Sequence, residues 1–127
     1  MTKSTLKIIK KAMDTLGLEY GFMRYNKTPV VYPYWVGSYQ ENPIVSESGH
    51  STSMFSLNGY HRGSWYDLET QKEHIENYFN KVSGKTVMAE DGSAVAIFYA
   101  NTLIVPSVDA ELKRIQINLD INEWSVK

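Results

Sequence analysis

The chain contains no cysteine, which excludes disulfides, thiolate metal ligands and cysteine nucleophiles together. Its apolar runs fall far short of a membrane span, and Met1-Thr-Lys-Ser lacks the h-region of a signal peptide. These absences fit a protein made and kept inside a cell. Charge of one sign does not accumulate either: 13 Lys and Arg against 14 Asp and Glu leave a formal net charge of −1. So weak a field does not hold nucleic acid, and such contact would need a local patch. Histidine is scarce, and neither His50, His61 nor His74 has a partner at metal-ligand spacing. "KEHIEN" around His74 is not a zinc-protease helix motif. The glycines form no phosphate loop. Gly59 and Gly63 flank an expected strand-to-helix turn, where Arg62 at a helix N-terminus suits an anion, but turn glycines need no ligand. Glu90-Asp91 and Asp109/Glu111 are carboxylate pairs beside turns, where solvated charge is the default. His61 and Asp67 suggest an acid–base pair, yet no nucleophile or orienting group stands at recognisable spacing. The sequence makes no case for an enzyme and yields no catalytic, cofactor or metal residue.

What is abundant is aromatic side chain, 13% of the chain, with nine tyrosines. Tyrosine suits surfaces packed on one side and wet on the other. The 127 residues and the 43% hydrophobic fraction bound a single domain, 1–127, with a real core. Leu6, Ile9, Met13 and Leu16 recur at helical spacing, predicting a helix over Ser4–Leu16, capped by Ser4 and ended by Gly17. Lys3, Lys7, Lys10 and Lys11 fall on its solvated face. Glu19–Asn26 and Val30–Tyr39 read as strands joined by a turn at 26–29. "NPIVSESGHSTS", 42–53, reads as a long exposed loop before a strand over Thr52–Leu57. Ser64 opens a second helix with Trp65, Leu68, Lys72, Ile75, Phe79 and Val82 on one face and His74 on the other. Lys85–Glu90 and Ala94–Tyr99 form a hairpin around Asp91-Gly92, and Thr102–Val105 adds a short strand. In Glu111–Trp124, Ile115, Ile117, Leu119 and Ile121 alternate with Gln116, Asn118, Asp120 and Asn122. That pattern marks an antiparallel strand with one face packed, and Trp124 falls to the polar side or follows a bulge. The order predicts an α+β fold: a mainly antiparallel, mixed sheet with two helices on one face.

The surface signal lies in "VVYPYWVGSYQENP", Val30–Pro43. Proline cannot donate to a ladder, so Pro33 confines the segment to an edge, a strand end or a bulge. Alternation places Tyr32 and Tyr34 on one side and Trp35 and Tyr39 on the other, with more rings than one core face needs. A sheet edge with such rings is covered by its own loop or used against another subunit.

"PYWVGSYQE", "FSLNGYHRGSWYDLETQKEHIENYF" and "GSAVAIFYANTLIVPSVDAELKRIQINLDINEW" together resemble the small tail-completion or tail-terminator proteins of long-tailed phages, prophages and phage-tail-like particles of Gram-positive bacteria. The likeness runs from about Pro29 to Trp124 and rests on the order of parts, not on a catalytic fingerprint. It implies a non-enzymatic structural subunit that assembles as a homo-oligomeric ring, commonly a hexamer, on the head-proximal end of the tail tube. There the ring stops polymerisation and offers a surface to the head–tail connector and neck proteins, while DNA passes through without specific binding. No membrane and no cofactor are implied. On this reading Tyr34, Trp35 and Tyr39 make the subunit contact, and the loop near Glu41, Glu47 and His50 faces the tube or neck. A head-completion or connector subunit, or a monomeric ligand-binding module with the rings lining a pocket, are the alternatives.

Overall fold

A computed structural model describes residues 1–45, 50–80, 84–89 and 92–124, with the backbone alone at 42–45. The elements are α1 (Lys3–Thr15), β1 (Glu19–Phe22), β2 (Tyr34–Val45), β3 (His50–His61), α2 (Trp65–Tyr78), β4 (Lys85–Met88), β5 (Ala94–Ile104) and β6 (Lys113–Trp124). The strands form one six-stranded sheet in the order β1-β2-β3-β6-β5-β4. All neighbours pair antiparallel except β1 and β2, which are parallel. This is the expected α+β arrangement.

Alternation sorts the sheet into two faces. Phe55, Leu57, Ile115, Ile117, Leu119, Ile121 and Ile97 are fully buried and meet Ile9 and Met13 of α1 and Leu68 and Ile75 of α2 in one core. Both helices therefore pack on the same face. Each such side chain contributes roughly 1.5–3 kcal/mol of burial, far more than the exposed Lys10–Asp14 pair at about 0.3–0.5 kcal/mol. The other face carries Ser56, Asn58, Gln116, Asn118 and Asn122, polar and partly buried, with Ser56 and Gln116 both donating to Asn118 Oδ1. Trp124 keeps the register opposite His50, so it stands on this polar face, and its ring stacks on His50 at 4.8 Å.

The ends of elements differ from the sequence reading for local reasons. Helix α1 begins two residues after Met1 because Thr2, not Ser4, is the N-cap, its hydroxyl accepting from the Thr5 N–H at 3.2 Å. Gly17 adopts φ +72° just past the helix, the left-handed position expected of it. Ser64 caps α2 as expected, accepting from the Asp67 N–H at 3.3 Å. Ser64→Ala is predicted to lower the unfolding free energy by about 1 kcal/mol, read as a shift in the urea midpoint. Trp65, expected on the buried stripe, is 41% exposed. Lys81, Val82, Glu90 and the turn residue Asp91 lie outside the described residues.

The strands changed most. Strand β1 stops at Phe22, and residues 23–33 carry the chain back so that β2 runs parallel to it. Strand β2 starts at Tyr34, so Pro33 sits just before the ladder and removes no bond from it. The segment read as a loop is largely strand, since β2 reaches Val45 and β3 begins at His50. Strand β3 continues through Asn58-Gly-Tyr-His because it pairs with β6 over its entire length. The two strands expected at 94–99 and 102–105 are one, β5, kinked by a bulge between Tyr99 and Asn101.

Burial also has a titration consequence. The Tyr20 phenol lies over Gly37, where desolvation pushes it up from its usual range; burial pushes Tyr34 and Tyr99 the same way. A tyrosine raised in the fold contributes stability that is intact below its unfolded pKa of about 10 and is lost as pH rises above it. Stability is therefore predicted to fall as pH is raised beyond about 10. Tyr20→Phe should flatten that decline in pH-dependent urea melts; an unchanged slope would remove Tyr20 from the account.

Candidate functional site

The aromatic segment divides by depth. Trp35 is fully buried, and its Nε1–H donates to Gln71 Oε1 at 2.8 Å, tying β2 to α2. The expectation of a subunit contact is corrected for this residue: a ring enclosed by its own helix has no surface to offer. Tyr39 shares Trp35's face but lies past the end of the β1 pairing, 40% exposed, stacked on Phe22 at 6.0 Å. Tyr34 is on the opposite face, half-buried in a stack with Tyr25 at 4.4 Å and Tyr60 at 5.2 Å. Arg114 lies 5.6 Å from the Tyr60 ring and donates to Asn58 Oδ1 through Nε and Nη2. Only Tyr39 of the three has its ring at a sheet edge.

Glu41 and His50, read as loop residues, are strand residues at one end of the sheet. Glu41 pairs with Ser53 across the ladder, and its carboxylate meets the Met1 amino group. His50 contacts Asn122 Oδ1 through Nε2 at 3.0 Å and stacks on Trp124. Glu47 lies outside the described residues. Glu41, His50 and Trp124 are thus carried by strands rather than by a loop.

The remaining candidates for chemistry sit at the β3–α2 turn and beside it. His61 is the last residue of β3, 7% exposed, with Nε2 3.5 Å from Asp67 Oδ2 beneath Gly63. Its two ring nitrogens are buried without a hydrogen-bond partner, while the Asp67 carboxylate is exposed. Arg62 pairs with Asp109 at 2.8 Å, and the Asp109 carboxyl is held below the usual carboxylate range, first by the Glu111 N–H and then by this guanidinium. Among the described residues no group of three His, Asp or Glu side chains is placed to hold a metal. No described helix is long and apolar enough to cross a membrane.

What sequence reasoning missed is the state of the two sheet margins. Strand β1 covers β2 only from Tyr34 to Gly37, and β4 covers β5 only from Ala94 to Ile97. Among the described residues no strand pairs with the rest of either margin. Ile104 at 62%, Leu103 at 44% and Trp65 at 41% exposure stand by the second margin, as Phe22 and Tyr39 stand by the first.

No protein-family model and no curated protein sequence matches the chain. Its fold does match solved structures. A chain from the virion of a native gene transfer agent particle superposes with a TM-score of 0.68 at 8% identity, over 90% of this chain and 84% of that one. The two share a fold across nearly their whole lengths.

Proposed function

We propose that this protein is a structural subunit of a phage-type particle, acting as a tail terminator. Several copies form a ring, in the hexameric form common to such proteins, on the head-proximal end of the tail tube. The ring halts tube growth and presents a surface to the connector and neck proteins. The observation that carries this reading is the fold shared with a chain of a gene transfer agent virion over 90% of the sequence. The order of aromatic strand, capped helix and long amphipathic final strand supports it, as does a pair of sheet margins that no described strand covers. A formal net charge of −1 suits a ring through which DNA slides without being held.

The test adds the purified protein to tail tubes lacking it and images the tube ends. Rings at one end, with arrest of further tube growth, are expected. Tubes that keep growing uncapped, or rings that form on head connectors instead, would overturn the terminator assignment. Tyr39→Ser probes the subunit contact without entering the core. It should shift ring assembly to at least tenfold higher protein concentration, the consequence of losing about 1.4 kcal/mol or more of contact.

A further inference from the structure

We infer that adjacent copies join by adding the uncovered margin of β5 to the uncovered margin of β2 of the next copy, continuing the antiparallel sheet from subunit to subunit. The inference rests on the ring reading above and specifies which surfaces make the ring.

Hydrogen-bond direction identifies the groups available. Gly37 C=O accepts from the Met23 N–H on the outer side of β2, so alternation turns the backbone groups of Tyr39 and Glu41 outward as well. On β5, the Tyr99 N–H points away from β6 to Phe79 C=O, whereas Val105 N–H points toward β6, to Arg114 C=O. Across the bulge this leaves Thr102 and Ile104 with outward backbone groups. Each margin therefore offers two consecutive outward residues, a matched set for a short antiparallel ladder.

Three further features agree. First, β2 and β5 run in opposite directions within the sheet, so two copies related by rotation about an axis along the strands bring them together antiparallel. Second, the faces match. Tyr39 and Glu41 alternate with Trp35 onto the helix side, and Thr102 and Ile104 pair with Ile117 and Ile115 on that same side. Residues opposite each other in a ladder share a face, so this joint keeps helices beside helices. A one-residue slip would put them on opposite sides. Third, the margins are staggered. Through the ladder, Thr102 and Ile104 stand level with Gly37 and Trp35, four positions from Glu41 and Tyr39 respectively. Four residues at roughly 3.3 Å, across four strands at roughly 4.8 Å, require a strand tilt of about 35° in a closed ring. Closed barrels tilt their strands by about 35–45°. A head-to-tail contact of this kind gives a ring where the rotation closes, and never a two-fold dimer. In the resulting register Tyr39 faces Ile104 and Glu41 faces Thr102, with Phe22 and Trp65 flanking the joint.

The natural absence of cysteine makes a cross-linking test clean. Tyr39→Cys and Ile104→Cys are combined in one chain; two full strands, β3 and β6, lie between them, so a disulfide forms only between copies. Mild oxidation should give a reducible ladder of multimers, whereas Tyr39→Cys with Met88→Cys on the β4 edge should give none. Ile104→Lys, at an exposed site, should keep the fold by circular dichroism and abolish oligomers. Rings that assemble but cross-link only through Met88→Cys, or that form undiminished with Ile104→Lys, would overturn the inference and leave the terminator reading standing. Multimers cross-linked through β2 and β5 that never cap a tube would do the reverse. A chain that stays monomeric with tubes present, uncross-linked, would overturn both.

Discussion

Trp35→Ala is expected to lower the unfolding free energy by about 3–5 kcal/mol, the usual cost of emptying a large aromatic site in a core. The site has little room to collapse. The ring lies flat against Gly59 of β3, where an added Cβ would come within 2.6 Å of its carbons, and α2 closes it from above. Removing the indole opens a cavity between β2, β3 and α2 and leaves Gln71 without its donor. Against a typical total of about 5–15 kcal/mol, this is a large share of the stability. Urea melts should show a lower midpoint at an unchanged slope. Trp35→Phe keeps most of the packing and loses the indole N–H, so its cost should fall near 1 kcal/mol. A small effect of Trp35→Ala would mean that the residue is not the tie between β2 and α2 described here. The result matters for assembly as well. Loss of rings in a Trp35 variant reports on folding, whereas loss of rings in Tyr39→Ser reports on contact.

Trp35 also shows where sequence reasoning stops. Period-2 alternation placed Trp35 with Tyr39 and apart from Tyr34, as the structure has it. Alternation cannot say how far along a strand its neighbour reaches, and β1 pairs with β2 at Trp35 but not at Tyr39, four residues on and exposed. Strand β6 was legible because its pattern is strict over eight residues. Helix α2 was legible in its cap, in Leu68, Ile75 and Phe79, and in the outward side of His74. The 42–53 segment was not, because its polar, proline-containing composition favours a loop locally. Pairing to β2 and β6 imposes the strand from 50 onward, and composition carries no record of a partner 72 residues away, as His50 and Asn122 are. The parallel placement of β1 was equally hidden: four residues give too short a pattern to distinguish a hairpin from a return crossing. Glu41 and His50 were read as loop residues, whereas both lie on strands, Glu41 opposite Ser53 and His50 opposite Trp124.

Glu123→Ala is the second large effect expected. In the series Ile115, Ile117, Leu119, Ile121, Glu123, the glutamate takes the next position on the packed face, and it is only 6% exposed. Its Oε2 accepts from the Thr2 N–H at 3.1 Å, the Thr2 hydroxyl at 2.9 Å and the Thr5 hydroxyl at 2.6 Å. These donors belong to the first turn of α1, so a carboxylate on β6 completes the helix N-terminus, and its charge lies at the positive end of the helix dipole. Truncation leaves the fully buried Thr5 hydroxyl and the Thr2 N–H without this acceptor. Each unsatisfied group costs about 1–3 kcal/mol, so a total near 3 kcal/mol is expected after partial re-pairing between the two threonines. Glu123→Gln retains an acceptor oxygen and loses the charge, placing it between the two. Hydrogen exchange separates this effect from a general loss of stability. Amides of α1 should lose protection first, by about a hundredfold for 3 kcal/mol, while the β3–β6 ladder follows only as far as global unfolding permits. Uniform loss across both elements would show that Glu123 supports the sheet rather than the docking of α1. If α1 is so docked, its N-terminal turn also anchors the neighbourhood of Glu41, whose carboxylate meets the Met1 amino group. The stability of α1 and the geometry of the β2 margin are then coupled, so Glu123→Ala should weaken ring assembly without touching either joining strand.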